Sequence, residues 1–262
     1  MQSARVPEIS LNSGAKMPQL GLGVWQIADG EPVERAVGAA LEAGYRLIDT
    51  ASAYGNERGV GRAIRQSGLP RDELFITTKL WNSDQGHDPA LAAFEASLER
   101  LGLDYVDLYL IHWPSPDRGL TLDSWRALEE LYHRGLARSI GVSNFTERHL
   151  KELMPAFSVT PAVNQIELHP AFQQRPTRRF CKKLGIQVES WSPLMRGDLD
   201  LPLLQSLAVR YGKTPAQVVL RWHIQSGLVA IPKSENPERI RQNIDIFNFA
   251  LDPEDMKKIG AL

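Results

Sequence analysis

Eight short apolar segments recur along this chain, and each carries, at or next to its end, a residue that a hydrophobic core would not choose. The segments are GLGVW, YRLIDT, LFITTK, VDLYLIH, RSIGVSN, AVNQIE, IQVESW and LVAIPK. The residues at their ends are Trp25, Asp49, Lys79, His112, Asn144, Glu167, Trp191 and Lys233, spaced 23 to 42 residues apart. A strand that is apolar almost throughout is buried on both faces, as in a parallel sheet covered by helices. A strand–helix–strand unit takes about 30 residues or more. The intervening segments have helical period: PVERAVGAALEAG aligns Val33, Ala36, Val37, Ala40 and Leu41 and stops at Gly44, and ALAAFEASLERLG aligns Leu91, Phe94, Leu98 and Leu101 before Gly102. The longest gap holds two helices, LPLLQSLAVRYG and TPAQVVLRWHIQSG. The expected fold is α/β, an eight-stranded (β/α)8 TIM barrel spanning residues 1–262 as one domain, with EISLNSGAKMPQL as an N-terminal β-hairpin capping the barrel floor.

Parallel strands in a closed barrel deliver their C-terminal ends to one mouth. Asp49, Lys79 and His112 end consecutive strands and therefore meet there, with Tyr54 in the next loop. A phenol is a poor acid near neutrality, with an ordinary pKa of about 10. A neighbouring ammonium favours the phenolate, so Lys79 is expected to lower Tyr54 and make it a general acid toward a carbonyl oxygen. Asp49 is expected to keep Lys79 charged and oriented, and His112 to donate a hydrogen bond to the substrate oxygen. Taken singly, each has a plainer reading: Asp49 with Lys79 as a structural ion pair, His112 as a satisfied core histidine, Tyr54 as a loop tyrosine. Their joint placement favours chemistry. Trp25, Trp81, Trp113 and Trp191 fall at or just after strand ends and are expected to line the mouth, whereas Trp125 and Trp222 lie on helices and are expected to pack.

Composition argues against several partners. Lys+Arg 30 against Asp+Glu 31 leaves a net charge of -1, which favours neither nucleic acid nor an anionic membrane surface. No apolar run reaches the roughly 20 residues of a membrane span, and MQSARVPEISLNSG lacks the apolar middle of a secretory leader. The expected location is the cytoplasm, and the expected state a monomer. Cys181 is the single cysteine, so no internal disulfide or cysteine-based metal cluster is possible, and no metal is expected.

Reduction by these side chains requires an external hydride, hence a nicotinamide cofactor. The usual dinucleotide fingerprint is absent: Gly21 and Gly23 would need a third glycine at Gln26, and Gly59 and Gly61 one at Ile64. IPKSENPERIRQN offers an alternative, a helix opening with Asn236 as N-cap and Pro237 at its first position, flanked by Lys233, Ser234 and Arg239. Such a free N-terminus beside cations suits the 2′-phosphate of NADPH.

The motifs GYRLIDTASAYGNE, FITTKLW, LYLIHWP, GVSNF, AVNQIELHP, SWSPL and IPKSENPERIRQN resemble those of the aldo-keto reductases, most closely bacterial 2,5-diketo-D-gluconate reductase-like members, over nearly the whole chain. The resemblance implies a tetrad of Asp49, Tyr54, Lys79 and His112, the four selected by the strand-end argument. It further implies that Ser143, Asn144 and Gln165 hold the nicotinamide carboxamide and that Trp191 stacks on the ring. Ser192 and Leu194 would run along the pyrophosphate, Lys233, Ser234, Arg239, Gln242 and Asn243 around the adenosine end, and Gly23, Val24 and Trp25 would complete the cofactor contacts. Trp25, Tyr54, Trp81, His112, Trp113 and Asn144 would border the substrate. Gln242 stands where many relatives carry Glu, and Glu235 with Asn236 replace an apolar and a hydroxyl residue, which sets a carboxylate beside the phosphate. NADPH is therefore expected, with NADH accepted less well. The chain ends at Leu262, before the tail that covers the substrate in relatives, which implies an open pocket. The expected reaction is reduction of small aldehydes, dicarbonyls or keto-sugars. Two rivals remain: a non-catalytic nicotinamide-binding module, and a Schiff-base aldolase with Lys79 as nucleophile.

Overall fold

The computed structural model describes residues 6–262. The expectation that the chain opens without a secretory leader falls in part on residues 1–5, outside the described residues. Two short antiparallel strands, β1 (Glu8–Ser10) and β2 (Lys16–Pro18), form the expected hairpin. The eight barrel strands follow as β3 (Gly21–Gly23), β4 (Leu47–Asp49), β5 (Phe75–Leu80), β6 (Leu108–Ile111), β7 (Ile140–Ser143), β8 (Val163–Glu167), β9 (Gln187–Trp191) and β10 (Val229–Ala230). All pair in parallel in chain order, and parallel bridges from Leu20 to Ala230 and from Gly23 to Lys233 bring the first strand against the last, so the sheet closes.

The helices alternate with these strands: α1 (Glu31–Ala43), α2 (Glu57–Gln66), α3 (His87–Leu101), α4 (Thr121–His133), α5 (Glu147–Leu153), α6 (Arg175–Lys183), α7 (Pro202–Tyr211), α8 (Pro215–Gln225), α9 (Pro237–Ile244) and α10 (Pro253–Ile259). The stripe of α1 is buried as its period required, and Gly44 ends the helix at φ 103, a left-handed turn that glycine adopts without steric cost. In α3, Phe94 and Leu101 are buried while Leu91 and Leu98 are half-buried at the edge. The pair α7 and α8 occupies the long gap before the last strand.

The strands are shorter than the apolar runs. The last keeps only two residues, because Pro232 has no N–H to give the ladder; pairing continues outside it through Ile231 N–H to the Ser190 carbonyl and Gly23 N–H to the Pro232 carbonyl.

Alternation along the strands divides the core in two. One face of each strand packs under the helices, including Ile48, Ile76, Tyr109, Ile111 and Val142. The other face fills the barrel, where Leu47, Phe75, Leu108, Val163 and Val229 meet Leu11 and Met17 of the hairpin. The floor is thus closed by apolar packing, pinned by Asn12 Nδ2 donating to the Pro161 carbonyl at 2.9 Å. Among the described residues, no helix is long and apolar enough to cross a membrane.

Helices α2 and α3 approach so closely that a Cβ on Gly61 would collide with the backbone carbonyl of Leu101, whereas a Cβ on Gly38 in α1 meets open space. In urea unfolding, Gly61→Ala is expected to destabilise the protein by about 1–3 kcal/mol or more through overpacking. Gly38→Ala should instead stabilise it by roughly 0.5–1 kcal/mol through helix propensity. Equal effects would remove the close approach as the reason for glycine at position 61.

Candidate active site

The mouth of the barrel is a cleft of about 570 Å³ whose lining includes Trp25, Tyr54, Trp81, His112, Trp113 and Trp191. All four tryptophans expected at the mouth are there, and Trp125 and Trp222 are buried under the helices.

The loop AYGNE after β4 is held by identifiable contacts. Tyr54 closes a short turn, and Gly55 follows at φ 68. Asn56 then acts as a buried nail: its Oδ1 accepts from Thr50 Oγ1 at 2.8 Å, and its Nδ2 donates to the carbonyls of Val24 and Ile27, each at 2.9 Å. It ties the loop bearing Tyr54 to the loop bearing Trp25. Glu57, also buried, accepts from Thr78 Oγ1 and Arg100 Nε, both at 2.6 Å.

Lys79 is fully buried beneath the cleft. Its Nζ donates to Asp49 Oδ1 at 2.6 Å, to the Thr50 carbonyl at 2.9 Å and to Tyr54 Oη at 3.2 Å. The His112 ring stands edge-on to Tyr54 at 5.7 Å between centroids and to Trp81 at 5.1 Å. Phenol, ammonium, carboxylate and imidazole are thus brought together.

Their electrostatics differ from the expectation in one respect. Burial alone would lower Lys79, but the Asp49 charge and Tyr54 outweigh it and hold the ammonium at about 12. Burial pushes Tyr54 above its ordinary value; Lys79 pulls it down but does not overcome the loss of water. Tyr54 is therefore a firmly protonated phenol rather than the acidified one expected from its neighbour alone. His112 is driven down to about 3 by burial and then by the Lys79 charge, so its ring is neutral at physiological pH. Lys79 has no free lone pair and no exposed surface, which argues against a Schiff base on it.

The opposite wall is made by the ends of β6, β7, β8 and β9. Asn144 sits at φ 65, and its side chain joins three neighbours: Nδ2 donates to the His112 carbonyl at 3.0 Å and to Ser143 Oγ at 3.1 Å, while Oδ1 accepts from Trp191 Nε1 at 2.9 Å. Ser143 Oγ donates to the Gln165 carbonyl at 2.9 Å. Gln165 Nε2 donates to Asp49 Oδ2 at 2.7 Å and to Glu189 Oε2 at 2.8 Å. A planar indole fixed by a hydrogen bond, beside an amide oxygen of Gln165 left for a ligand, fits a flat carboxamide-bearing ring such as nicotinamide. Asn144 both holds the indole in that wall and itself lines the cleft.

Gly23, Ser192 and Lys233 also line the cleft. Val24 is fully buried and does not line the cleft, and Leu194 is half-buried beside the core. Ser234, Arg239, Gln242 and Asn243 lie outside the cleft, on and just before α9. Asn236 caps that helix as expected, with Pro237 at its first position; its Oδ1 accepts from the N–H groups of Glu238 and Arg239, at 2.8 and 3.1 Å, so those two donors are already taken and the N-terminus is not free. Lys233 is likewise paired, with Glu235 Oε1 at 2.6 Å. A phosphate arriving there would compete with a carboxylate of this chain.

Arg196 and Glu189 escaped the sequence reading. Arg196 lines the cleft from a loop where Ser192, Met195 and Arg196 all have positive φ, and no residue type in that loop announces it. Glu189 did carry a signal, an acid in the middle of an apolar strand. A second cavity, about 690 Å³, lies at the other end of the barrel between the hairpin and α6; it shares no residue with the tetrad. Among the described residues, no cluster of three His, Cys, Asp or Glu is placed to hold a metal ion.

The Aldo/keto reductase family profile matches residues 19–262. Glyoxal reductase of Bacillus subtilis is 53% identical over 255 residues, covering 97% of this chain and 92% of that protein. Methylglyoxal reductase DkgA of Yersinia pestis is 52% identical over 259 residues, covering 98% and 92%. A crystal structure of a Gox0644 mutant in complex with NADPH superposes with a TM-score of 0.92 at 48% identity, covering 98% of this chain and 94% of that one.

The depressed His112 predicts its titration. The unfolded chain takes up a proton on this ring near 6.5 and the folded one only near 3, so folding stability is complete above about 6.5 and declines as pH falls between those values. The His112 ring resonances are expected to stay constant from about pH 8 to 5; a midpoint above 6 would contradict a neutral, desolvated ring.

Proposed function

The chain belongs to the aldo/keto reductase family, and from that premise we propose that it reduces small aldehydes, dicarbonyls or keto-sugars to alcohols with NADPH, Tyr54 giving the proton. The observation that carries this reading is the hydrogen-bonded chain from Asp49 through Lys79 to Tyr54 Oη, opening on a cleft walled by His112 and tryptophans. The nicotinamide cofactor, when bound, supplies the hydride that these side chains cannot. Ser143, Gln165 and Trp191 would hold and stack its ring end, with Asn144 fixing the indole. Gly23, the Val24 backbone, Trp25, Ser192 and Leu194 would run along it toward Lys233, Ser234, Arg239, Gln242 and Asn243.

The substrate carbonyl oxygen would sit between Tyr54 Oη and the neutral imidazole of His112, with Trp25, Trp81, Trp113 and Asn144 around it. As the carbonyl carbon accepts hydride, its oxygen takes the phenol proton, and the alcohol results. The raised pKa of the buried phenol keeps that proton in place until then. The phenolate left behind is stabilised by the Lys79 ammonium at 3.2 Å, itself held charged by Asp49. Every group in this sequence comes from one chain, consistent with a monomer. The substrate class draws support from the glyoxal and methylglyoxal reductases named above; 2,5-diketo-D-gluconate is one keto-sugar to include.

NADPH oxidation followed by absorbance across a panel of aldehydes, dicarbonyls and keto-sugars tests the reading. Tyr54→Phe is expected to reduce turnover by roughly 10²–10⁴-fold, the usual worth of a general acid, with NADPH binding nearly unchanged. Wild-type protein that binds NADPH and reduces no member of the panel would favour a non-catalytic module instead. Glu235→Gln frees Lys233 for the 2′-phosphate and should tighten NADPH by about two- to fivefold, the scale of an exposed ion pair, without changing NADH. Equal changes for both cofactors would move the phosphate site elsewhere.

A further inference from the structure

Beneath the tetrad, one amide is shared by two buried carboxyl groups. Gln165 Nε2 donates to Asp49 Oδ2 at 2.7 Å and to Glu189 Oε2 at 2.8 Å. Gln165 is 2% exposed and Glu189 0%. The register makes the contact: Gln165 and Glu189 are direct partners across β8 and β9, and both point into the barrel. The reaction as read above uses Asp49 and gives Glu189 no part.

Two consequences follow from the donor inventory. An amide nitrogen has two N–H groups, and both are spent here on the carboxyl oxygens. The carbonyl end of Gln165 is what remains for the cleft, and turning the amide over would place its oxygen against the Asp49 carboxylate, and against Glu189 as well once that group is ionised. The charges impose the second consequence. Asp49 from β4 and Lys79 from β5 act on Glu189 and neutralise each other at 2.6 Å, Tyr54 after β4 also feels the Glu189 charge but is a protonated, neutral phenol, Gln165 from β8 is neutral, and Val229, the partner of Glu189 on β10, is apolar. The charge beneath the ring site is therefore set by whether Glu189 holds its proton. Burial first, and then the Asp49 charge, push Glu189 up to about 8.

We propose that Glu189 is a positioning residue that locks the Gln165 carbonyl toward the cleft and, by losing its proton, favours the cationic oxidised nicotinamide over the neutral reduced one. This rests on the nicotinamide-dependent reading above. It makes the balance between the two cofactor forms depend on pH through a residue that touches neither. Oxidised and reduced forms carry the same 2′-phosphate, so comparing them cancels its titration.

The test is fluorescence titration of the holoenzyme-competent protein with NADP+ and with NADPH at pH 6.5 and 9. For wild type, the ratio of NADP+ affinity to NADPH affinity should rise by about threefold or more between these values, as expected for a charge acting across one intervening amide. Glu189→Gln keeps an oxygen for Gln165 and cannot ionise; both cofactors should bind, with a ratio independent of pH. Glu189→Leu, verified as folded by circular dichroism, removes the acceptor and should weaken both cofactors. Identical pH dependence in wild type and Glu189→Gln would overturn the charge role, and unchanged affinities in a folded Glu189→Leu the positioning role. Wild type binding both forms at a pH-independent ratio defeats this proposal alone; binding neither form defeats the cofactor reading as well.

Discussion

One ammonium group enclosed by a sheet barrel sets the terms for everything around it. Lys79 has no exposed surface, and moving such an ion out of water carries an idealised cost of order 20 kcal/mol unless partners replace the solvent. Asp49 Oδ1, the Thr50 carbonyl and Tyr54 Oη take up all three of its N–H directions. Those acceptors come from β4 and the loop after it. The ion thereby pins the end of one strand to the next and fixes the phenol above it. The same contact that makes the charge tolerable puts it where a phenolate would form.

The barrel interior meets this demand by layering. Its floor is apolar, built by Leu47, Phe75, Leu108, Val163 and Val229 and sealed by Leu11 and Met17 of the hairpin. Two residues farther along the same strand faces stand Asp49, Thr77 and Gln165, and Glu189 joins them from β9. Above these come Lys79, His112 and Trp191, and the loops add Tyr54 and the remaining tryptophans. The floor contributes stability, the middle layer distributes charge, and the rim presents flat rings and hydrogen-bonding groups. In the middle layer, Asp49 and Glu189 take both N–H groups of the Gln165 side chain.

The loop before α9 shows a second balance of charges. Lys233 pairs with Glu235, and Asn236 caps the start of α9, so both groups have partners within the chain. If a phosphate binds there as proposed, its affinity is a difference between two paired arrangements. A carboxylate at position 235 bears directly on it although the tetrad never touches that residue.

Much of this was legible in the chain because it depends on local pattern. Period and spacing give eight strands and the helices between them, Gly44 and Gly102 mark helix ends, and Asp49, Lys79 and His112 announce a mouth because no core would take them at strand ends. Other features depend on what lies across the barrel. Tyr54 was expected to be acidified by Lys79, yet burial contributed by the surrounding strands outweighs that neighbour. Asn236 was legible as the cap of α9, but the pairing of Glu235 with Lys233 beside it shows only once the loop folds. Glu189 was visible as an acid in an apolar strand, yet its meaning rests on the register that sets it against Gln165. The sequence by itself determined which residues share a strand face and which strands end in polar groups, since both follow from the period of the backbone. Only the tertiary structure decided how those groups are charged and oriented, since burial and hydrogen-bond partners come from segments far apart in the chain.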